Sequence, residues 1–260
     1  MKRILFALSI IMTFVGCRPE SEDEGTGINT NIEFMPVELY ESDAQGTPFT
    51  ALRIATTNNY PCSNYNIVTT QQSVNGELIV RFKRIDAPTN CVTTPGPAQI
   101  FVAMPANTTK ITFKNGQVID TYHISITAQK MIVTPEVSNF TESLHTTTFR
   151  YPQNSFAYVC GTTQEDIALY EEFLSILQSN AAFTEYTFDG EGRIPYAETS
   201  SGHEVNHPSK YFKYTNASDF NTAGQLLESF STQHITPNSG TGIWLQSWDN
   251  QSYTSWEFQQ

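Results

Sequence analysis

The chain has 260 residues and a formal net charge of −12, with 14 Lys and Arg set against 26 Asp and Glu. An acidic surface of that size repels a phosphate backbone, and no basic cluster offsets it, so nucleic acid is excluded as a partner. Only 15% of the residues are charged, and the abundance of Thr, Asn, Gln, Ser, Phe, Tyr and Val favours strands over helices.

The N-terminus begins with the positive pair Lys2 and Arg3, followed by an apolar run over residues 4–15. That length suits a signal peptide and falls short of the roughly 20 apolar residues a transmembrane helix needs. Phe14-Val15-Gly16-Cys17 resembles the lipobox of bacterial lipoproteins. The resemblance implies that residues 1–16 are removed and that Cys17 is acylated, anchoring the chain to a membrane through its lipid. Residues 17–28 form an acidic stretch containing Gly and Pro, expected to be a flexible tether. Its Ser21-Glu22-Asp23-Glu24 is similar to the acidic export tag of surface lipoproteins of Bacteroidota. The implied place is the cell envelope, at the outer membrane, with exposure on the cell surface.

Residues 29–135 carry the signals of an antiparallel β domain. Strands are expected over 33–40, 52–57, 66–73, 77–85, 99–104, 110–114 and 117–127. Asn75-Gly76 and Asn115-Gly116 lie between alternating runs, which is the strongest short hairpin signal in a sequence. About seven strands with turns every 8–12 residues suggest an immunoglobulin-like sandwich. An exported chain meets an oxidising compartment, and Cys62 and Cys91 lie in neighbouring segments of this half, so they are expected to pair. Closing that loop stabilises the fold by about 3–4 kcal/mol. Tyr60-Pro61-Cys62-Ser63-Asn64-Tyr65, with Cys91 and Gly96-Pro97-Ala98, resembles a pattern in uncharacterised lipoproteins of Bacteroidota. It implies a compartment and a fold, and brings no activity with it.

Residues 136–260 read as a small α+β domain with two helices. The first is expected over 164–180, where Ile167, Tyr170, Phe173, Leu174 and Leu177 share a face and Thr163 with Asp166 forms a capping-box-like start. The second is expected over 219–233, capped by Ser218. Strands are expected over 146–151, 156–160, 184–188 and 193–196 across Asp189-Gly190, 210–214, and 241–248 paired with 253–258. The chain is thus mainly β: a sandwich followed by an α+β domain.

Three features bear on chemistry. His203-Glu204-Val205-Asn206-His207 fits the zincin motif H-E-x-x-H by letter, but zincins need both His side chains on one helical face. Gly202 precedes the motif and Pro208 follows it, so no long helix carries it. His203, Glu204 and His207 stand as weak metal candidates only. Cys160 precedes a helix, where a thiol can gain reactivity, but no sequence pattern ties a base to it, and its flanks read as core strand. Trp244, Trp248 and Trp256, with Tyr253 among them, crowd the C-terminus. In a hairpin, Trp244 and Trp248 share a face, and an aromatic platform beside Gln246, Asp249 and Asn250 suits a sugar; packing against the helices explains the same residues. No motif calls for a cofactor. The reading is a membrane-anchored, non-enzymatic binding module whose partner is a glycan or an envelope protein. The alternatives are a zinc- or cysteine-dependent hydrolase and a purely structural lipoprotein.

Overall fold

The computed structural model describes residues 27–41, 45–196 and 206–259. Its first ten strands are β1 (Ile32–Leu39), β2 (Phe49–Tyr60), β3 (Asn66–Val74), β4 (Glu77–Asp86), β5 (Gly96–Ala103), β6 (Lys110–Asn115), β7 (Val118–Ile126), β8 (Lys130–Val137), β9 (Thr141–Ser143) and β10 (Thr147–Phe149). They join in one sheet in the order β10-β8-β7-β6-β4-β3-β5-β2-β1-β9. Alternation sets the buried face: in β4, Leu78, Val80 and Phe82 are buried while Arg81 and Lys83 are not. Phe34 on β1 lies 4.7 Å from Phe113 on β6 and 4.8 Å from Tyr122 on β7, although these strands stand far apart in the sheet order. The sheet therefore curls over on itself and encloses one apolar core, as a β-sandwich does.

Both Asn-Gly signals mark hairpins. Asn75 and Gly76 have φ of 50° and 80°, the pair of left-handed residues a two-residue hairpin turn requires. In the second hairpin Asn115 stays in the strand opposite Val118, and its side chain is used elsewhere. Its Oδ1 accepts from Ile28 N at 2.7 Å, and its Nδ2 donates to Ile28 O at 2.9 Å. Gly27 has φ +77°, and a Cβ there would sit 2.1 Å from Asn115 Oδ1, so glycine alone fits. The tether expected over 17–28 is thus pinned at its last residue, and Ile28 already belongs to the core. Residues 17–26, Cys17 included, and the signal peptide over 1–16 lie outside the described residues.

The strands paired within hairpins match the sequence reading, and three parallel junctions add to them: β1 with β9, β3 with β5 and β4 with β6. The reading missed β8, whose short apolar run is interrupted by Pro135 beside a register shift in β7. The boundary expected between residues 135 and 136 falls inside β8, and the first sheet runs on to Phe149. The polar segment that suggested a linker is ordered by hydrogen bonding instead of burial. Asp120, fully buried, accepts from Asn139 N, Phe140 N, Thr141 N and Thr141 Oγ1 at 2.7–2.9 Å. Burial alone would raise the pKa of this carboxyl, but the donors from Phe140, Thr141 and Asn139 outweigh it and hold the group below its ordinary value.

The second sheet holds β11 (Ser155–Gly161), β12 (Phe183–Tyr186), β13 (Lys210–Tyr214), β14 (Gly242–Ser247) and β15 (Ser252–Thr254), in the order β12-β13-β11-β14-β15. Every residue of β11 is buried, as a central strand covered on both faces must be. Helices α1 (Leu169–Ser179) and α2 (Asp219–His234) cover one face, packing Phe173, Leu177, Phe220 and Leu227 onto Phe156 and Tyr158. A β-sandwich-like unit followed by a small α+β part is therefore the architecture. Some local details differ. Helix α1 begins five residues later than the pattern suggests, because the bond from Asp166 N to Thr163 Oγ1 closes a turn ahead of it. Ser218 makes no side-chain cap on α2; Asp219 instead accepts from Asn216 N at 2.7 Å. Residues 193–196 form no strand beyond a bridge from Arg193 to Thr148, and β12 pairs with β13. After Thr254 the expected final strand becomes a 3-10 turn, Ser255–Phe258, held by a capping box.

Two outcomes follow. Alanine in place of a helix glycine usually stabilises by about 1 kcal/mol, but at Gly224 a Cβ would lie 2.7 Å from the Tyr253 ring. Gly224→Ala is expected to lower the stability measured by urea denaturation by about 1–3 kcal/mol. Asp120→Asn is expected to cost about 2–3 kcal/mol at neutral pH, the value of hydrogen bonds to a charged acceptor. With the native pKa depressed, the Asp120 contribution is complete above about pH 4 and is lost as pH falls through the native value. Stability curves of the parent and Asp120→Asn should therefore converge in acid.

Candidate ligand-binding cleft

The chain passes from the first sheet to the second across Arg150–Asn154, and Glu38 on β1 determines how it does so. The Glu38 side chain is only 2% exposed. One of its oxygens accepts from Arg150 Nε at 2.8 Å and the other from Tyr151 N at 2.6 Å. Arg150 also donates through Nη1 to Thr127 O at 2.8 Å, so the turn between β7 and β8 is tied in as well. Around this pair Tyr151 meets Tyr40 at 5.8 Å and Tyr196 at 4.8 Å between ring centroids. Burial pushes the phenol pKa values of Tyr40 and Tyr151 up. Two further bonds join the units: Tyr40 OH donates to Trp248 O at 2.7 Å, and Gly46 N to Asp249 O at 3.0 Å.

This junction leaves a cleft of about 480 Å³ whose lining includes Gln129, Arg150, Gln153, Tyr186, Lys213 and Trp248. Its size is that of a small-molecule or oligosaccharide site. Trp248 is held at three points, since its N donates to Ser155 O at 2.9 Å, its Nε1 donates to Tyr214 OH at 3.0 Å, and its carbonyl accepts from Tyr40. The Lys213 ammonium stands 4.3 Å from the centre of the Tyr186 ring. An immobilised indole, a second aromatic wall, two amides and two cations thus meet in one concavity.

No family model, no curated protein and no solved structure matches this chain.

The expected aromatic platform is not built. Strand β14 ends at Ser247, and the chain reverses so that Ser247 N donates to Gln251 O at 2.8 Å. Trp248 therefore leaves the strand's alternation and packs on the helix side, while Trp244 packs on the opposite face with Ala157, Val159 and Tyr196. Tyr253 lies against α2, its OH donating to Asn221 Oδ1 at 2.9 Å, and Trp256 sits half-buried in the 3-10 turn. Of these four residues, Trp248 is the one that lines the cleft.

The remaining candidates are scattered. Cys62 and Cys91 form the expected disulfide, with Cα atoms 5.4 Å apart. Asn64 braces it by donating to Asn90 O and accepting from Val92 N. Cys160 is buried, and its thiol meets the Tyr158 hydroxyl. Burial pushes that thiol up to about 12, against a smaller lowering by Tyr158, the opposite of an activated nucleophile. His207 Nε2 lies 2.7 Å from Thr162 Oγ1 and its ring stacks on Tyr170 at 4.4 Å; His203 and Glu204 lie outside the described residues. Among the described residues no three His, Cys, Asp or Glu side chains converge as a metal site would need.

Sequence reasoning missed Glu38, Gln129, Arg150, Gln153, Tyr186 and Lys213. They come from five separate segments, and only the meeting of the two sheets unites them. The one local signal is Tyr151-Pro152, a rigid non-strand step between two apolar runs.

Cys160 is expected to resist a thiol-specific chromogenic reagent in the native protein and to react fully after denaturation. Glu38→Ala strands the Arg150 guanidinium and the Tyr151 N–H. The expected loss is about 3 kcal/mol, at the lower end for breaking a buried pair, and calorimetry is expected to show one unfolding transition for the parent and two for Glu38→Ala.

Proposed function

We propose that this chain is a non-enzymatic binding module of the cell envelope, held at the membrane by a lipid on Cys17, and that the cleft between its two sheets takes a glycan. The observation that carries this reading is Trp248: a partly exposed residue held by three hydrogen bonds, one of them from its indole Nε1, and lining the same cleft as the side-chain amides of Gln129 and Gln153. Sugars are recognised by flat aromatic surface together with directional hydrogen bonds, and prior immobilisation of the ring lowers the entropy lost on binding. The acids of the cleft favour binding over hydrolysis. Glycoside hydrolysis uses two carboxylates flanking the bond, whereas among the described residues Glu38 is the sole carboxylate lining this cleft, and both its oxygens are engaged inward. The lipobox-like Phe14-Val15-Gly16-Cys17 and the acidic tether support attachment at the outer membrane.

The test is tryptophan fluorescence of the full chain titrated with a panel of oligosaccharides. The expected result is a saturable change that Trp248→Ala weakens at least about tenfold, equivalent to about 1.4 kcal/mol, and that Trp244→Ala leaves in place. No change with any sugar overturns the glycan reading and directs the search to an envelope protein. For the anchor, Cys17→Ala is expected to abolish incorporation of labelled palmitate and to release the chain from the membrane fraction.

A further inference from the structure

We infer that the cleft selects an acidic glycan, with Lys213 as the contact for its carboxylate, an inference that rests on the glycan reading above. The chain as a whole is strongly acidic, at −12. Among the described residues, the charged side chains that line the cleft are nevertheless Arg150, Lys213 and Glu38, two cations to one anion. Glu38 is consumed by Arg150 and the Tyr151 N–H, which leaves Lys213 as the cation free to act on a ligand.

The neighbours of Lys213 keep it so. On β13, Phe212 and Tyr214 are buried and Lys213 points to solvent. Its partners across the ladder are Ser155 on β11 and Thr184 on β12, both neutral. Lys210 on the same strand is treated differently: its Nζ lies 3.1 Å from Glu185 Oε1. Among the described residues no carboxylate pairs with Lys213. Asp189 is near enough to act on the Tyr186 phenol and forms no ion pair with the lysine. The ammonium instead rests over the Tyr186 ring, which positions a cation without neutralising it. A lysine kept uncompensated in a strongly acidic protein, lining the same cleft as Trp248, suits an oligosaccharide that carries a carboxylate. The ammonium addresses the charge of a uronate, and the neutral parts of the chain are left to the aromatic and amide groups of the cleft.

The experiment compares oligomers of galacturonate, glucuronate and mannuronate, each paired with its neutral parent oligosaccharide, against the full chain by fluorescence or calorimetry. At least one uronate is expected to bind about tenfold more tightly than its neutral parent. Lys213→Gln should bring the two members of that pair together, Lys213→Arg should preserve the preference, and Lys210→Gln should leave it unchanged. Equal binding of all pairs, or a preference that survives Lys213→Gln, overturns the acidic selectivity and leaves the glycan reading standing. Failure of every oligosaccharide, acidic and neutral, overturns the glycan reading and this inference with it.

Discussion

A carboxylate removed from water must find donors or lose its charge, and Glu38 meets that demand with groups from a different part of the chain. A charge buried without partners costs several kcal/mol, so the position of Glu38 on β1 dictates where Arg150 and Tyr151 sit. Arg150 in turn takes hold of the β7–β8 turn through Thr127. One side chain thereby fixes the start of the first sheet, a turn at its far side and the crossing into the second sheet. The orientation of the two units depends on this constraint, and so does the gap between them.

That dependence ties the shape of the cleft to the crossing, although two separate cores build it. The cleft takes its walls from both units, and they meet where Glu38 holds the crossing segment. Trp248 is part of the same arrangement, since its carbonyl receives the Tyr40 hydroxyl and its indole nitrogen reaches Tyr214. A ligand entering here meets side chains already in place, so its binding energy is not consumed in ordering them. On the proposed reading the acidic character of the chain would help selectivity: an acidic surface disfavours anions, and a local excess of cations stands out against it.

Much of the fold was legible because its signals are local. Alternation in β4 and β7, the left-handed Asn75-Gly76 turn and the apolar faces of both helices are properties of short segments, and the structure follows them. The pairing of Cys62 with Cys91 followed from their nearness within one β-rich half. What escaped depends on long-range pairing. Strand β8 reads poorly because Pro135 interrupts it, and the segment over 136–145 looks like a linker until Asp120, far away in sequence, gathers its N–H groups. The division of Trp244 from Trp248 turns on one residue, since ending β14 at Ser247 suffices to send the second indole to the other side. The cleft itself was invisible, because a site assembled from seven segments leaves no spacing to count.

The clip between Ile28 and Asn115 adds a direction to this picture. Asn115 lies at the β6–β7 reversal, so the N-terminal segment leaves the body at the start of β7. Gln129, at the cleft, belongs to the turn that follows the end of β7. Nine residues of strand separate the two, or about 30 Å at the usual rise. If the proposed lipid on Cys17 holds the chain, the long axis of the sandwich would act as a mast, with the bilayer toward its foot and the opening toward its head. The cleft would then stand clear of the crowded headgroup layer and face outward, where an extended polysaccharide strand can reach it without bending.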